Sequence, residues 1–228
     1  MQLSLLEQIE CRGAIRMGVV GDGGKWICAP WQLPTGCTIV SLGLSTEVSF
    51  DVEISRILQG RCRIFGFDHT SSRNVYANVV NGQFYGYKIG NSTTADTMTI
   101  MQLMQLLSIN YIDVLKIDIE AAEMPVLNAL LDEQTDKCVD DKNCSQQIEN
   151  NKINPETSQI CQILLEIHGW PNAMGWRMLL VKLETAGFRI FKKEVNPLDA
   201  NCIEIAYIHR TCKNRYGVSE AFLMNFNQ

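Results

Sequence analysis

No apolar run in this chain approaches the roughly 18 residues that a membrane-spanning helix needs. Met1 to Glu10 also lacks the basic start and apolar centre of a signal peptide. These absences predict a soluble chain, either cytoplasmic or the lumenal part of a longer protein. Nine cysteines are present but no Cys-x-x-Cys pair, so the closely spaced ligands of a tetrahedral zinc site are missing. The pattern Gly-x-Gly-x-x-Gly is absent as well, which disfavours a pyrophosphate cradle. Positive charge is short: Lys and Arg number 20 against 25 acids, a net charge of −5. That sign points away from a phosphate backbone and predicts no nucleic-acid partner.

What is there is 228 residues, 46% hydrophobic and 20% charged, enough for one globular domain with a sizeable core. Cys37, Cys62, Cys161 and Cys202 lie in or beside apolar runs and read as small buried hydrophobes. Cys138 and Cys144 bracket a polar loop and are the pair expected to bridge in an oxidising compartment.

Short apolar runs alternate with stretches of helical spacing, which predicts a parallel sheet flanked by helices. Strands are expected at 38–43, 63–68, 84–89, 112–118 and 160–166, with helices at 48–58, 73–80, 97–107, 121–131 and 174–186. Two further runs, 188–195 and 202–209, are joined by a short turn and predict an antiparallel hairpin. The fold class is therefore α/β, with the layout of the Rossmann-like class I methyltransferases, a mostly parallel seven-stranded sheet ending in an antiparallel hairpin; an ordinary nucleotide-binding fold without the hairpin is the alternative. Residues 1–37 are expected to form an N-terminal helix and an Asp22-Gly-Gly cap segment. Residues 38–210 make the main domain, with a polar insertion at 132–159, and 211–228 form a tail.

In an open parallel sheet, ligands sit beyond the carboxyl ends of the central strands. Gly43 ends the first strand and opens onto a helix start, where backbone N–H groups meet a ligand. Asp68 follows by 25 positions, near the distance at which an acid accepts both hydroxyls of a ribose. A turn glycine and a ribose acid without a pyrophosphate loop describe an adenosyl ligand. The fourth strand ends Lys116-Ile-Asp118-Ile-Glu120, with Lys116 and Asp118 on one side by alternation. Glu120 and Glu123 also suit a helix N-terminus. Glu166 and His168 share a face at the end of the fifth strand, and His168 has an ordinary titration range suited to taking a proton from a hydroxyl. Asp22-Gly-Gly reads as a turn between short strands.

Taken as a set, these motifs resemble the S-adenosylmethionine-dependent methyltransferase-like proteins related to the FkbM family. They are Arg16-x-Gly18, Asp22-Gly-Gly-Lys-x-x-Cys28, Ser41-Leu-Gly-Leu-Ser-Thr-Glu-Val-Ser-Phe-Asp51, Gly66-Phe-Asp68, Asp113-Val-Leu-Lys-Ile-Asp-Ile-Glu-Ala-Ala-Glu123, Leu165-Glu-Ile-His168 and Cys202-x-Glu204-Ile. The resemblance implies S-adenosylmethionine as cofactor, held by Gly43, Ser45, Glu47, Asp68 and Asp118. It implies O-methylation of a hydroxyl on a small-molecule or glycan acceptor, with Asp118 and Glu120 lining the reaction centre and His168 as base. No metal is assigned; a divalent ion on Asp118, Glu120 and His168 is the alternative form. Ser45, Thr46, Ala121 and Ala122 add bulk where the family has smaller residues, so a binding or scaffold domain with a blocked pocket is the alternative from another class.

Overall fold

The computed structural model describes residues 8–139, 159–169, 174–212 and 223–225. Its centre is a seven-stranded sheet built from β4 (Thr38–Leu42), β5 (Arg63–Phe67), β6 (Gly82–Tyr85), β9 (Ile112–Ile117), β10 (Ile160–Ile167), β11 (Phe188–Val195) and β12 (Ile203–His209). The spatial order is β11-β12-β10-β9-β4-β5-β6. From β10 through β6 neighbours run parallel, whereas β12 is antiparallel to both β10 and β11. The final hairpin thus folds back so that its second strand fills the place beside β10.

Every residue of β4, β9 and β10 is buried. Helices cover both faces of such a sheet, which is why these strands read as continuous apolar runs. Side chains alternate between two cores. Val40, Leu42, Leu115 and Ile117 join α2 (Ile100–Leu106), α3 (Glu123–Val139) and α4 (Met174–Thr185) on one face. Ile39, Ile64, Val114 and Leu164 meet α1 (Ser49–Ile57) and the N-terminal strands on the other. The first turn of α2 is closed by a capping box between Thr99 and Gln102. A buried polar knot sits under α1: Asp51 accepts hydrogen bonds from Ser41 (2.6 Å) and Tyr76 (2.7 Å).

Several expectations shift. Residues 73–80 hold only a 3-10 turn over Arg73–Tyr76. Lys88–Ile89 leaves the main sheet and pairs as β7 with β8 (Thr97–Met98). Helix α3 runs on to Val139, into the segment read as a polar insertion. The described part of 1–37 contains strands and a single 3-10 turn over Pro30–Gln32, with no α-helix: the strands are β1 (Ile9–Cys11), β2 (Ala14–Met17) and β3 (Lys25–Cys28), the last two forming an antiparallel ribbon. Part of the tail is also structured, because β13 (Leu223–Asn225) pairs with β1. Among the described residues no helix is long and apolar enough to cross a membrane.

The cysteines are the main correction. Cys11–Cys28, Cys37–Cys62 and Cys161–Cys212 form disulfides, and Cys202 is free and buried. Read singly along the chain they look like core hydrophobes; the sheet brings partners together from separations of 17, 25 and 51 residues. Loops of that size correspond to about 3–4 kcal/mol each from the restricted unfolded chain. Cys144 and the side chain of Cys138 lie outside the described residues. Peptide mapping without reductant is expected to recover the three linked peptides, and alkylation of the unfolded, unreduced chain to label Cys202.

Candidate active site

The chain passes from β4 to β5 and β6 on one side, then returns to β9 on the other, so the strand order reverses between β4 and β9. Gly43 and Asp118 follow these two strands. Gly43 has φ +74, and a Cβ there would lie 1.6 Å from the Asp118 carbonyl oxygen. Only glycine permits this approach. Beyond it opens a cavity of about 340 Å³, within the range of small-ligand sites. Its walls come from Asp22 and Gly23, the turn Gly43–Glu47, Phe67 to Thr70, Tyr87 to Ile89, and Asp118 to Glu120 with Ala122. Ser45, Thr46 and Ala122 therefore border the cavity without filling it, and it is not blocked as the scaffold alternative expects.

Asp68 faces the cavity wall, yet its carboxylate is spent on protein. One oxygen accepts the backbone N–H groups of Leu44 and Ser45, both at 2.8 Å. The other accepts from Thr70 N–H, Thr70 Oγ1 and Ser71 N–H at 2.7, 2.7 and 2.8 Å. A carboxylate offers about four lone-pair positions, so none remains for a ribose hydroxyl in this arrangement. Burial pushes the group up, but the bonds from Ser45, Thr70 and Leu44 outweigh it and hold the carboxyl well below the usual range. Ser45, at φ +47, is held in the left-handed region by this grip at a local cost of about 1–2 kcal/mol. Glu47 borders the cavity and accepts from Ser49 N–H at 2.6 Å at the start of α1.

Beside the cavity lies a buried ionic cluster. Lys25 is 1% exposed, and its Nζ reaches Glu204 at 2.5 Å, Glu166 at 2.7 Å and Asp118 at 3.2 Å. Burial works against its charge, but Glu204, Asp118 and Glu166 together hold the ammonium above the ordinary lysine range. Lys116 adds a second cation 3.8 Å from Asp118, as strand alternation predicts. Burial also pushes Glu204 up to about 8, with Lys25 pulling it back and Glu166 raising it further. Glu166 and Glu204 stand directly opposite each other in adjacent strands.

The structure brings His168, Asp118 and Glu120 together. His168 Nε2 is 3.9 Å from Asp118 Oδ1 and 3.6 Å from Glu120 Oε2. Nδ1 is held at 2.8 Å by Glu123, a buried acid that also accepts Ile119 N–H and Ala121 N–H. Those bonds fix a turn in which Glu120 and Ala121 both have positive φ, +53 and +68. The hydrogen bond to Glu123 chiefly raises the imidazole from 6.5 to about 9; burial opposes it, and the charges of Glu123, Asp118 and Glu120 add to it. These contacts favour the charged imidazole, whereas the sequence reading takes His168 as a base of ordinary titration range. Sequence reading missed Lys25 and underread Glu123 and Glu204. The available signal was a lone acid inside each of two apolar strands, Glu166 and Glu204, which demands a buried cation from elsewhere.

Two variants check this geometry. Lys25→Met leaves three carboxylates around an apolar side chain and is expected to cost about 3–5 kcal/mol in denaturant unfolding. Asp68→Asn strips acceptors from buried N–H groups and is expected to cost about 1–3 kcal/mol. Since the native Asp68 carboxyl titrates below its unfolded value of 3.8, its contribution is complete above that pH and fades as pH falls toward the native value. The acid limb of the stability curve should be shallower in Asp68→Asn.

Comparison with known proteins supplies the class. The pre-rRNA processing protein fibrillarin of Methanococcus jannaschii is similar at 13% identity and TM-score 0.46, over 77% of this chain and 67% of that one. Fibrillarin of Aeropyrum pernix, with natively bound S-adenosyl-L-methionine, is 12% identical with TM-score 0.45, over 87% and 84%. A 16S rRNA (adenine(1408)-N(1))-methyltransferase from Catenulisporales acidiphilia is 9% identical with TM-score 0.37, over 86% and 98%. No curated protein sequence matches. Two of these structures are named for RNA, pre-rRNA processing and 16S rRNA, and that finding stands against the expectation of a small-molecule or glycan acceptor without nucleic acid. A net charge is a sum over the whole chain and does not fix the potential at one face, so −5 does not by itself decide the partner. Residues 4–209 match the sequence profile described as a methyltransferase domain, and the chain belongs to that family, with S-adenosylmethionine as its cofactor.

Proposed function

We propose that the chain transfers a methyl group to an acceptor oxygen, with the donor seated in the cavity between Gly43 and Asp118. The observation that carries this reading is the cavity itself, formed where the strand order reverses. Its chemistry suits a sulfonium nucleoside: Asp22, Glu47, Asp118 and Glu120 favour cationic charge, while Phe67 and Ile89 offer apolar surface to a purine. When bound, S-adenosylmethionine supplies an activated methyl group. The quoted motifs support placing the chain near the FkbM-related branch.

In this reading Gly43 lets the donor approach the backbone, and Ser45 and Glu47 form the adjoining wall. Asp68 acts at one remove, by fixing the turn that carries Leu44 and Ser45 rather than by gripping a sugar. Asp118 and Glu120 line the reaction centre, and His168, steadied by Glu123, holds their carboxylates in place. Much of the rate then comes from alignment of donor and acceptor.

S-adenosylhomocysteine at about one hundred times its Kd is expected to stabilise the wild-type chain by about 2.7 kcal/mol. Thr46→Trp, which fills the cavity from an exposed position, should abolish that gain while leaving the melting temperature of the free chain unchanged. An unchanged melting curve for the wild type at millimolar ligand would sink the reading.

A further inference from the structure

Around the free edge of His168 the fold gathers three kinds of donor atom. A carboxylate oxygen of Glu166, a ring nitrogen of His168 and the Sγ of Cys202 all lie within 4.8 Å of one another. With Nδ1 occupied by Glu123, Nε2 is the atom left to bind. A carboxylate on the far nitrogen is the arrangement that orients a metal-ligating imidazole. Cys202 is a buried thiol outside the disulfides, with Sγ 3.6 Å from Asp199 Oδ2. Glu166 accepts one hydrogen bond on each oxygen, from Lys25 and Asn196, and so keeps a lone pair on each. Carboxylates of Asp118, Glu120, Glu123, Glu166 and Glu204 face Lys25, Lys116 and His168, and Glu123 and Glu204 each keep a buried oxygen without a hydrogen-bond partner among the described residues.

We propose that Glu166, His168 Nε2 and Cys202 bind a zinc ion, with its fourth position open toward Asp118, Glu120 and the cavity. One nitrogen, one sulfur and one oxygen ligand with an open position is a donor set suited to catalytic zinc. On binding, the Cys202 S–H bond breaks as the sulfur–zinc bond forms and the His168 Nε2–H bond breaks as the nitrogen–zinc bond forms; both protons leave to solvent, and no electrons change hands. Only the ion's task rests on the proposed methyl transfer: beside the cavity it would polarise an acceptor hydroxyl. The binding site stands without that reading.

The test uses the full chain, stripped of metal with its disulfides intact, titrated with Co²⁺ and then with Zn²⁺. One Co²⁺ per chain is expected, with a thiolate-to-cobalt charge-transfer band that Zn²⁺ displaces. Cys202→Ser should abolish the band, and His168→Gln should weaken Co²⁺ binding at least about tenfold, the scale of a lost supporting contact or more. Glu123→Gln should weaken it about 10–100-fold, while Cys138→Ser with Cys144→Ser should leave it intact. A wild type without the band, or a band that survives in both Cys202→Ser and His168→Gln, overturns the site. Calorimetry with S-adenosylhomocysteine on the same samples separates the two readings. Donor binding kept in Cys202→Ser while the band is lost supports the ion site; a normal band with no donor binding in any sample sinks the methyl-transfer reading and leaves the ion site standing.

Discussion

The ammonium of Lys25 is the constraint on which the upper end of the sheet depends. Three strands, β9, β10 and β12, bring Asp118, Glu166 and Glu204 to one buried place, and strand register sets two of those acids face to face. Like charges opposed in a sheet are destabilising, and buried carboxylates without a counter-ion are far worse. The cation that resolves this comes from outside the sheet, on β3. The N-terminal ribbon is thereby fixed over the strand ends by an electrostatic need, with Arg16–Glu194 and the Cys11–Cys28 bridge reinforcing it. The same placement carries Asp22 and Gly23 to the cavity wall.

The cavity follows a related economy. Its polar groups mostly shape the protein instead of waiting for a ligand. Asp68 ties the turn after β4 to the loop after β5, Glu123 ties the turn after β9 to His168, and Glu47 closes the start of α1. Three non-glycine residues, Ser45, Glu120 and Ala121, are held at positive φ on the rim. Such strain persists only where surrounding contacts over-determine it, and here the contacts are those carboxylates. The rim is accordingly pre-shaped, which lowers the ordering cost of binding.

Much of this was legible in the sequence. The apolar runs of β4, β5, β9 and β10 are continuous because helices bury both faces, and that burial leaves a mark on composition. The side shared by Lys116 and Asp118 follows from the two-residue period of a strand. The pairing of cysteines was not legible, since their partners are set by which strands become neighbours. Nor was the saturation of Asp68: its spacing from Gly43 is the same whether the carboxylate meets a sugar or the backbone. Lys25 sits in a motif that reads as a turn, and its three acids are scattered over nearly the whole domain. In each case the missing information is tertiary, a contact between segments that carry no local trace of one another.

The pairing of β1 with β13 places Ile9 opposite Asn225 in an antiparallel ladder. Ile9 and Asn225 therefore share one corner of the molecule, on the flank where Gln8 meets β11. A probe fixed beside Ile9 and another beside Asn225 would report on one and the same corner, so loosening of this two-stranded ladder could be followed there without disturbing a strand of the central sheet.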